Sequence, residues 1–257
     1  MNLNRSFFVP VNSPLHNLNP LTKLALVFSM ILPAFLSLPQ LAPFLAIPIL
    51  IAVFIGRVQK QYFNLLLKLV LPTILFMFVM QSLFLPGGET VILNLGIFDV
   101  TRESMQSAFY TVSRIFVMIS SFAILLLTTH PSELMSDLTR RGLPGQFAYV
   151  IISTLQILPQ MQAKAQTIIA AQRSRGLDTE SSFRKRIGSL VPLVGPLVFG
   201  SLVEVEERAI AIEARGFTSK RAKTSLHEIP DPAFDKVLRG ILVILVIASF
   251  TLNLWLS

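Results

Sequence analysis

The sequence predicts an all-α membrane protein with about five transmembrane helices and long amphipathic helices on the cytoplasmic side. Apolar residues make up 53% of its 257 positions, charged residues make up only 14%, and the mean hydropathy is +0.66. A soluble domain carries about a quarter charged residues, so this composition is that of a chain embedded in lipid. The apolar residues form separate runs, and one long polar region interrupts them. Composition and arrangement together give the predicted fold class.

Five apolar runs have the composition of membrane-crossing helices: 24–38, 41–56, 65–85, 107–128 and 237–256. The first two are shorter than the roughly 20 residues that a span requires, and only Pro39-Gln40 separates them. They predict a tight helical hairpin whose flanking residues help it to cross. Between the third and fourth runs, Gly87-Gly88 and the β-like stretch 90–100 predict a small loop or hairpin on the far side.

The distribution of basic residues predicts the orientation in the membrane. Segments 1–23, 57–68 and 129–236 hold 19 of the 22 lysines and arginines, whereas the loop 86–106 holds only Arg102. Because cytoplasmic loops carry the excess of basic residues, the amino terminus should lie inside and the carboxy terminus outside. We divide the chain accordingly into amino-terminal spans, a cytoplasmic helical region and a final span (1–128, 129–236 and 237–257). Arg114 falls inside the fourth span, where a charge is a candidate functional group; near the outer end, it could instead reach towards the interface, and we favour the second interpretation.

Several classes of function lack the residues that they require. There is no cysteine, and His16, His130 and His227 are scattered, so neither a thiolate nor a metal cluster is expected. No phosphate-binding G-x-x-x-x-G-K-[ST] loop and no nucleophile–base pair occurs, so this chain should neither hydrolyse ATP nor act as an enzyme. Its basic residues are mixed with acids and lack interleaved aromatics, which argues against nucleic acid. We also predict no cleaved signal peptide.

The cytoplasmic region has the pattern of several helices. Pro131 at a first helical position, followed by Gly142 and Pro144, brackets a short helix. Residues 146–176 form a long segment without charge until Lys164. A helical stripe of apolar residues runs from Val198 to Gly216. Glycines and prolines in 191–200 predict a break between the two long helices.

Both long helices end in the same short pattern of a small residue, arginine and glycine: Ser174, Arg175, Gly176 and Ala214, Arg215, Gly216. Arginine is favourable in a last helical turn, and glycine suits the left-handed residue that stops a helix, so each could be an ordinary cap. Small residues before each arginine would also let another surface approach closely. An arginine beyond such a stem can make bidentate contacts with a partner. Arg173 and Glu213 occupy equivalent positions and could supplement such contacts.

In this order, the segments LNPLTKLAL (18–26), TRESMQSAF (101–109), LLLTTHPSELMSDLTRRGLP (125–144), AAQRSRGLD and AIEARGF make the chain resemble a known family. The family is the transmembrane T component of energy-coupling-factor (ECF) transporters, whose homologues serve cobalt, nickel and biotin importers. The resemblance covers about residues 15–220, and the two arginine motifs are its most specific part. Ser174 stands where alanine is commonest, a mild departure.

The resemblance implies a non-catalytic scaffold in a bacterial or archaeal cell membrane. It would join two ABC-type ATPases, identical or different, to a membrane S component that binds a vitamin or a transition-metal ion. Arg175 and Arg215 would be the docking cations on two coupling helices, and ATP would bind only in the partners. The alternatives are a channel or secondary transporter, which would need polar residues in the spans, and a membrane enzyme, which would need an acid–base pair.

Overall fold

The computed structural model describes residues 9–36, 39–85, 90–94, 99–176, 191–217, 219 and 229–256. The chain forms two compact units. Within the described residues, the membrane unit comprises the parts of 9–143 and 229–256, and the coupling unit comprises 144–176, 191–217 and 219. The coupling unit is therefore inserted between Leu143 and Ile229 of the membrane unit.

The membrane unit is built of helices around one short hairpin. Its elements are α1 (Pro20–Leu36), a 3-10 turn (Pro39–Leu41), α2 (Ala42–Ile55), α3 (Gln59–Leu65), a π-helical turn (Leu66–Val70), α4 (Leu71–Phe84), β1 (Val91–Asn94), β2 (Asp99–Thr101), α5 (Arg102–Thr128), α6 (Pro131–Arg140) and, after the coupling unit, α9 (Ala233–Leu256). Of the described helices, three are long and apolar enough to cross a membrane: Gln59–Phe84, Arg102–Thr128 and Ala233–Trp255. The shorter apolar helices 20–36 and 39–55 occupy the first two predicted runs. The all-α membrane fold is confirmed.

The continuous helix from α3 to α4 contains one irregular turn. The π-helical residues Leu66–Val70 end two residues before Pro72. Proline has no N–H for the carbonyl four residues earlier, and its ring crowds that carbonyl. A wider turn at this position accommodates the proline within a single membrane-crossing helix.

The core of the membrane unit lies where α5 packs against α1 and α2. Its buried apolar side chains come mainly from these three helices and include Val27, Ile49, Val53, Val117 and Ile124. α4 also packs on α5, but Ser82 is its only buried residue. Two polar groups are satisfied within the core. The Tyr62 hydroxyl donates a hydrogen bond to Ser120 Oγ at 2.8 Å, and Lys23 Nζ donates to the carbonyl oxygens of His16 and Thr128, both at 2.8 Å. Burial without such partners would cost each group several kcal/mol, on the order of 2–7.

The predicted β-like stretch is a two-stranded antiparallel hairpin. Val91 pairs with Thr101, and Asn94 pairs with Asp99. The Thr101 hydroxyl then accepts a hydrogen bond from the Ser104 N–H at 3.2 Å and caps α5. The predicted breaker Gly87-Gly88 lies outside the described residues.

The coupling unit consists of α7 (Gly145–Ser174) and α8 (Val191–Ala214). The predicted break at 191–200 was wrong, because these residues are the first ten residues of α8. Pro192 lies in the first turn, where backbone N–H groups have no helical partner, so it costs no hydrogen bond. Gly200 lies against the side chain of Lys164 on α7. The glycines and prolines of 191–200 suggest a helix break when read in isolation, but the helix continues through them.

We predict that Tyr62→Phe destabilises the membrane unit. Loss of the hydroxyl leaves the buried Ser120 Oγ without this partner, which should cost about 1 kcal/mol and lower the melting temperature by about 2–4 °C. Thermal unfolding of the purified protein in detergent measures the change. The matched control is Tyr149→Phe, whose hydroxyl makes no hydrogen bond to a described residue. Equal melting temperatures for both variants would contradict a role for this hydrogen bond.

Candidate functional site

The second arginine motif forms a complete helix-terminating turn. Gly216 has a φ of +69°, its N–H donates to the Glu213 carbonyl at 2.9 Å, and the Phe217 N–H donates to the Ile212 carbonyl at 3.2 Å. These two bonds are those of a Schellman motif, which satisfies carbonyls left free at the helix end. The left-handed backbone explains the glycine, because a Cβ would strain this conformation. Arg215 is therefore held at the point where α8 stops.

The first motif ends α7 in a similar way. Gly176 has a φ of +87°, and its N–H donates to the Arg173 carbonyl at 3.0 Å. The Ser174 hydroxyl donates to the Ala170 carbonyl at 3.2 Å, so serine here bonds back to its own helix. Because its hydroxyl stays on its own helix, Ser174 can act here as a small residue, as the alanine at the second tip does. The helices end at Ser174 and Ala214, so each arginine directly follows its helix.

Both motifs are open to their surroundings. The six motif residues are exposed, and so are Arg173 and Glu213. Neither the Arg175 nor the Arg215 guanidinium forms a hydrogen bond or an ion pair with any described residue. A Cβ built on Gly176 or Gly216 would meet no atom within 4 Å. Among the described residues, the two helix ends, called the tips below, therefore present cations without a partner and without bulky side chains beside the backbone.

The two helices contact each other along one side. Lys164 Nζ on α7 lies 2.7 Å from Glu204 Oε1 on α8, and Met161 Sδ lies 3.5 Å from Ser201 Oγ. A Cβ on Gly200 would lie 2.8 Å from Lys164 Nζ, the flexible end of that side chain, so the amine of Lys164 lies directly over this glycine. The Tyr149 and Phe217 rings contact at 5.2 Å between centroids, which brings the end of α8 beside the start of α7. The helices therefore pair in an antiparallel direction.

The residues that meet at the crossing have the same separation in sequence as the two tip arginines. Lys164–Glu204 and Met161–Ser201 each join residues 40 positions apart, and 40 residues also separate Arg175 from Arg215. Each arginine lies 11 residues beyond its own member of the Lys164–Glu204 pair, or about 16 Å along the helix. Because the helices are antiparallel, the tips extend to opposite sides of this crossing. The pair of helices thus has approximate two-fold symmetry about the crossing.

A third helix ends in arginine and glycine, and the sequence analysis did not single it out. Gly142 after α6 has a φ of +113°, and the Leu143 N–H donates to the Leu138 carbonyl at 3.1 Å. However, Arg141 Nη2 lies 2.8 Å from Asp231 Oδ2, so its charge is paired within the membrane unit. The residues TRRGLP carried the signal for the turn. Nothing nearby in the sequence revealed the acidic partner 90 residues away.

The remaining candidate residues have local environments. His16 Nε2 donates a hydrogen bond to the Val9 carbonyl at 3.0 Å, and His16 Nδ1 is hydrogen-bonded to Ser13 Oγ at 2.7 Å. Burial, followed by the charge of Lys23, lowers the pKa of His16. His130 caps α6 through Ser132. His227 lies outside the described residues, among which no group of side chains could hold a metal ion. The Nε of Arg114 is buried without a hydrogen bond to a described residue.

Comparison with known proteins places this arrangement in a family. The sequence profile of the cobalt transport protein family CbiQ matches residues 11–226. The chain belongs to this family. It is 31% identical to the energy-coupling factor transporter transmembrane protein EcfT of Leuconostoc gelidum, with 97% of this chain and 96% of the relative covered. The proteins of the same name from Heliobacterium modesticaldum (30% identical; 93% and 94% covered) and Bacillus subtilis (28%; 96% and 96%) are similar. The resemblance noted in the sequence is confirmed.

The helix crossing predicts which engineered cysteines can pair in this naturally cysteine-free chain. We expect a short bismaleimide to cross-link Met161→Cys to Ser201→Cys within one chain, because Met161 Sδ lies 3.5 Å from Ser201 Oγ at the crossing. The same reagent should not join Arg175→Cys to Arg215→Cys, since the tips lie on opposite sides of the crossing. Mass spectrometry of the cross-linked peptides distinguishes the outcomes. A cross-link between the tips, or none at the crossing, would contradict the antiparallel arrangement.

Proposed function

We propose that this protein is the transmembrane scaffold of an ECF-type ABC importer. In this proposal it joins two ABC-type ATPases to a substrate-binding S component and takes no part in the chemistry of ATP hydrolysis. The observation that carries the proposal is the pair of exposed arginine tips at equal distances from one crossing, in a chain of the CbiQ family. The printed names of the relatives, energy-coupling factor transporter transmembrane proteins, support the same role.

The approximate two-fold symmetry of the tips matches the symmetry expected of a pair of ABC-type ATPases. Two ABC-type ATPases, identical or homologous, form a pair related by a true or approximate two-fold axis, and such a pair offers the same surface twice. A single chain can occupy both surfaces only if it presents two similar elements with matching symmetry. The antiparallel pairing of α7 and α8 provides such elements.

The chemistry of each tip suits a groove with acidic groups or free carbonyls. The guanidinium of Arg175 or Arg215 has five donors in a planar fork and can bind a carboxylate through two hydrogen bonds. The small residues Ser174, Gly176, Ala214 and Gly216 would let the helix end enter the groove without a clash. Arg173 and Glu213, one residue further back, would contact the rim.

In this proposal, motion passes from the ATPases through the coupling helices to the S component. Closure of the ATPases around ATP would move the tips, and the two coupling helices would carry that motion towards the S component, which releases a vitamin or a transition-metal ion inside. The tips must then lie in the cytoplasm. The excess of lysine and arginine in 129–236 supports this placement, with the amino terminus inside and the carboxy terminus outside the cell membrane.

The tips predict the outcome of co-purification with the ATPase subunits. Arg175→Ala and Arg215→Ala should each weaken the complex about 30-fold or more, since a central arginine anchor typically contributes at least about 2 kcal/mol to an interface. The matched control is Arg208→Ala, which removes the same charge from α8 away from its tip. Binding is measured by titrating ATPases against the purified chain in nanodiscs.

Insertion of each variant into the membrane should stay normal, because neither guanidinium forms a hydrogen bond or an ion pair with a described residue. A double variant that binds the ATPases as tightly as the unaltered chain and supports full uptake would contradict the proposed function. Equal weakening by Arg208→Ala would also contradict it, because general charge and not the tips would then hold the ATPases.

A further inference from the structure

The coupling unit is attached to the membrane unit at two places in the chain. One attachment follows α6, at Leu143, and the other precedes α9, at Ile229. Any force that the coupling unit delivers through its backbone must pass through these two attachments. How the attachments are held within the membrane unit therefore decides how force is divided between α6 and α9.

A single carboxylate links the two attachments. Asp231 Oδ2 lies 2.8 Å from Arg141 Nη2 at the end of α6, and Asp231 Oδ1 lies 2.5 Å from Arg239 Nη2 in α9. Each oxygen of the carboxylate therefore pairs with a different helix. The hydrogen bond from Arg239, followed by the charge of Arg239 and the interactions of Arg141, holds the pKa of Asp231 below its ordinary value. Asp231 is thus a charged bridge at neutral pH.

Neighbouring hydrogen bonds join the same two chain segments, the end of α6 and the residues before α9. Arg140 Nη1 donates to the Ile229 carbonyl at 2.8 Å, so consecutive arginines of α6 hold two residues of the returning chain. Arg239 Nε donates to the Asp235 carbonyl at 3.2 Å and fixes the guanidinium against its own helix. Arg141 Nε also lies 3.5 Å from Asp137 Oδ2, a contact within the range of an ion pair but without hydrogen-bond geometry.

The same contacts extend to α1. The backbone N–H of Asn19, directly before α1, donates to Asp235 Oδ2 at 2.7 Å, and Asn19 Nδ2 donates to the Pro230 carbonyl at 3.4 Å. Asp235 is only 1% exposed, so this bond is shielded from competing water. The beginnings of α1 and α9 and the end of α6 are thereby connected through residues 229–235.

We propose that Arg141, Asp231 and Arg239 form a clamp that makes the two attachments of the coupling unit one mechanical base. The inference rests on the proposed function and adds positioning residues to it. With the clamp intact, a displacement of the coupling unit moves α6, α9 and α1 together. Without it, the chain at 143 and the chain at 229 can separate, and part of each displacement is lost in that separation. At the third arginine–glycine end, Arg141 therefore pairs with the clamp, whereas the arginines of the two tips are exposed.

The clamp is tested in the full transporter, with the ATPases and an S component, reconstituted in proteoliposomes. Asp231→Asn keeps the size of the side chain and removes the charge that both arginines share. We expect substrate uptake per ATP hydrolysed to fall about fivefold or more, the lower range of ordinary coupling between distant sites. ATPase binding should stay unchanged, since the clamp acts after docking. Arg141→Gln, at a side chain 41% exposed, should lower the same ratio without threatening folding.

Controls separate the clamp from general effects. Glu206→Gln removes one acidic charge at an exposed position of α8 and should leave the ratio of uptake to hydrolysis unchanged. Asp231→Glu keeps the charge and should retain most of the coupling. An unchanged ratio in both Asp231→Asn and Arg141→Gln would overturn the clamp, and so would loss of ATPase binding in either variant. Failure of the unaltered chain to bind the ATPases would instead overturn the proposed function.

Discussion

The coupling unit depends on one close crossing, at which Gly200 of α8 lies against the side chain of Lys164 on α7. The ion pair formed there with Glu204 is partly exposed on both sides, so it contributes at most about 1 kcal/mol. Two contacts mark where the helices meet: Gly200 beside the end of the Lys164 side chain, and Ser201 beside Met161. Each tip arginine lies 11 residues beyond its own helix's contact at the crossing, so the position of the crossing makes the two tips equidistant from it.

The three arginine–glycine ends show that one backbone device can serve opposite purposes. Each glycine takes a left-handed conformation, and each turn satisfies a carbonyl of the preceding helix. What differs is the environment of the arginine: Arg141 meets Asp231, whereas Arg175 and Arg215 meet no partner among the described residues. The turn itself therefore carries no information about function. The lack of a partner among the described residues is what the proposed function uses, because it requires a cation that another subunit can bind.

The sequence predicted those parts of the structure that have local causes. Apolar runs located the membrane helices, Pro131 and Gly142 bracketed α6, and glycine predicted the ends of α7 and α8. The first turns of α8 were missed because Gly195, Pro196 and Gly200 resemble a break when their neighbours are unknown. The crossing and the clamp were missed for another reason. Their partners lie 40 and 90 residues apart, and no periodicity in the chain connects Lys164 to Glu204 or Arg141 to Asp231.

Accessibility of the tips before and after ATPase binding tests the central claim most directly. Ser174→Cys and Ala214→Cys each place the only thiol of the chain beside a docking arginine. The rate of reaction with a water-soluble maleimide, measured with and without the ATPases, reports whether each tip is covered. The account predicts rapid labelling of both thiols in the isolated chain and strong protection of both in the complex. Undiminished labelling at either tip in a complex that still imports substrate would contradict it.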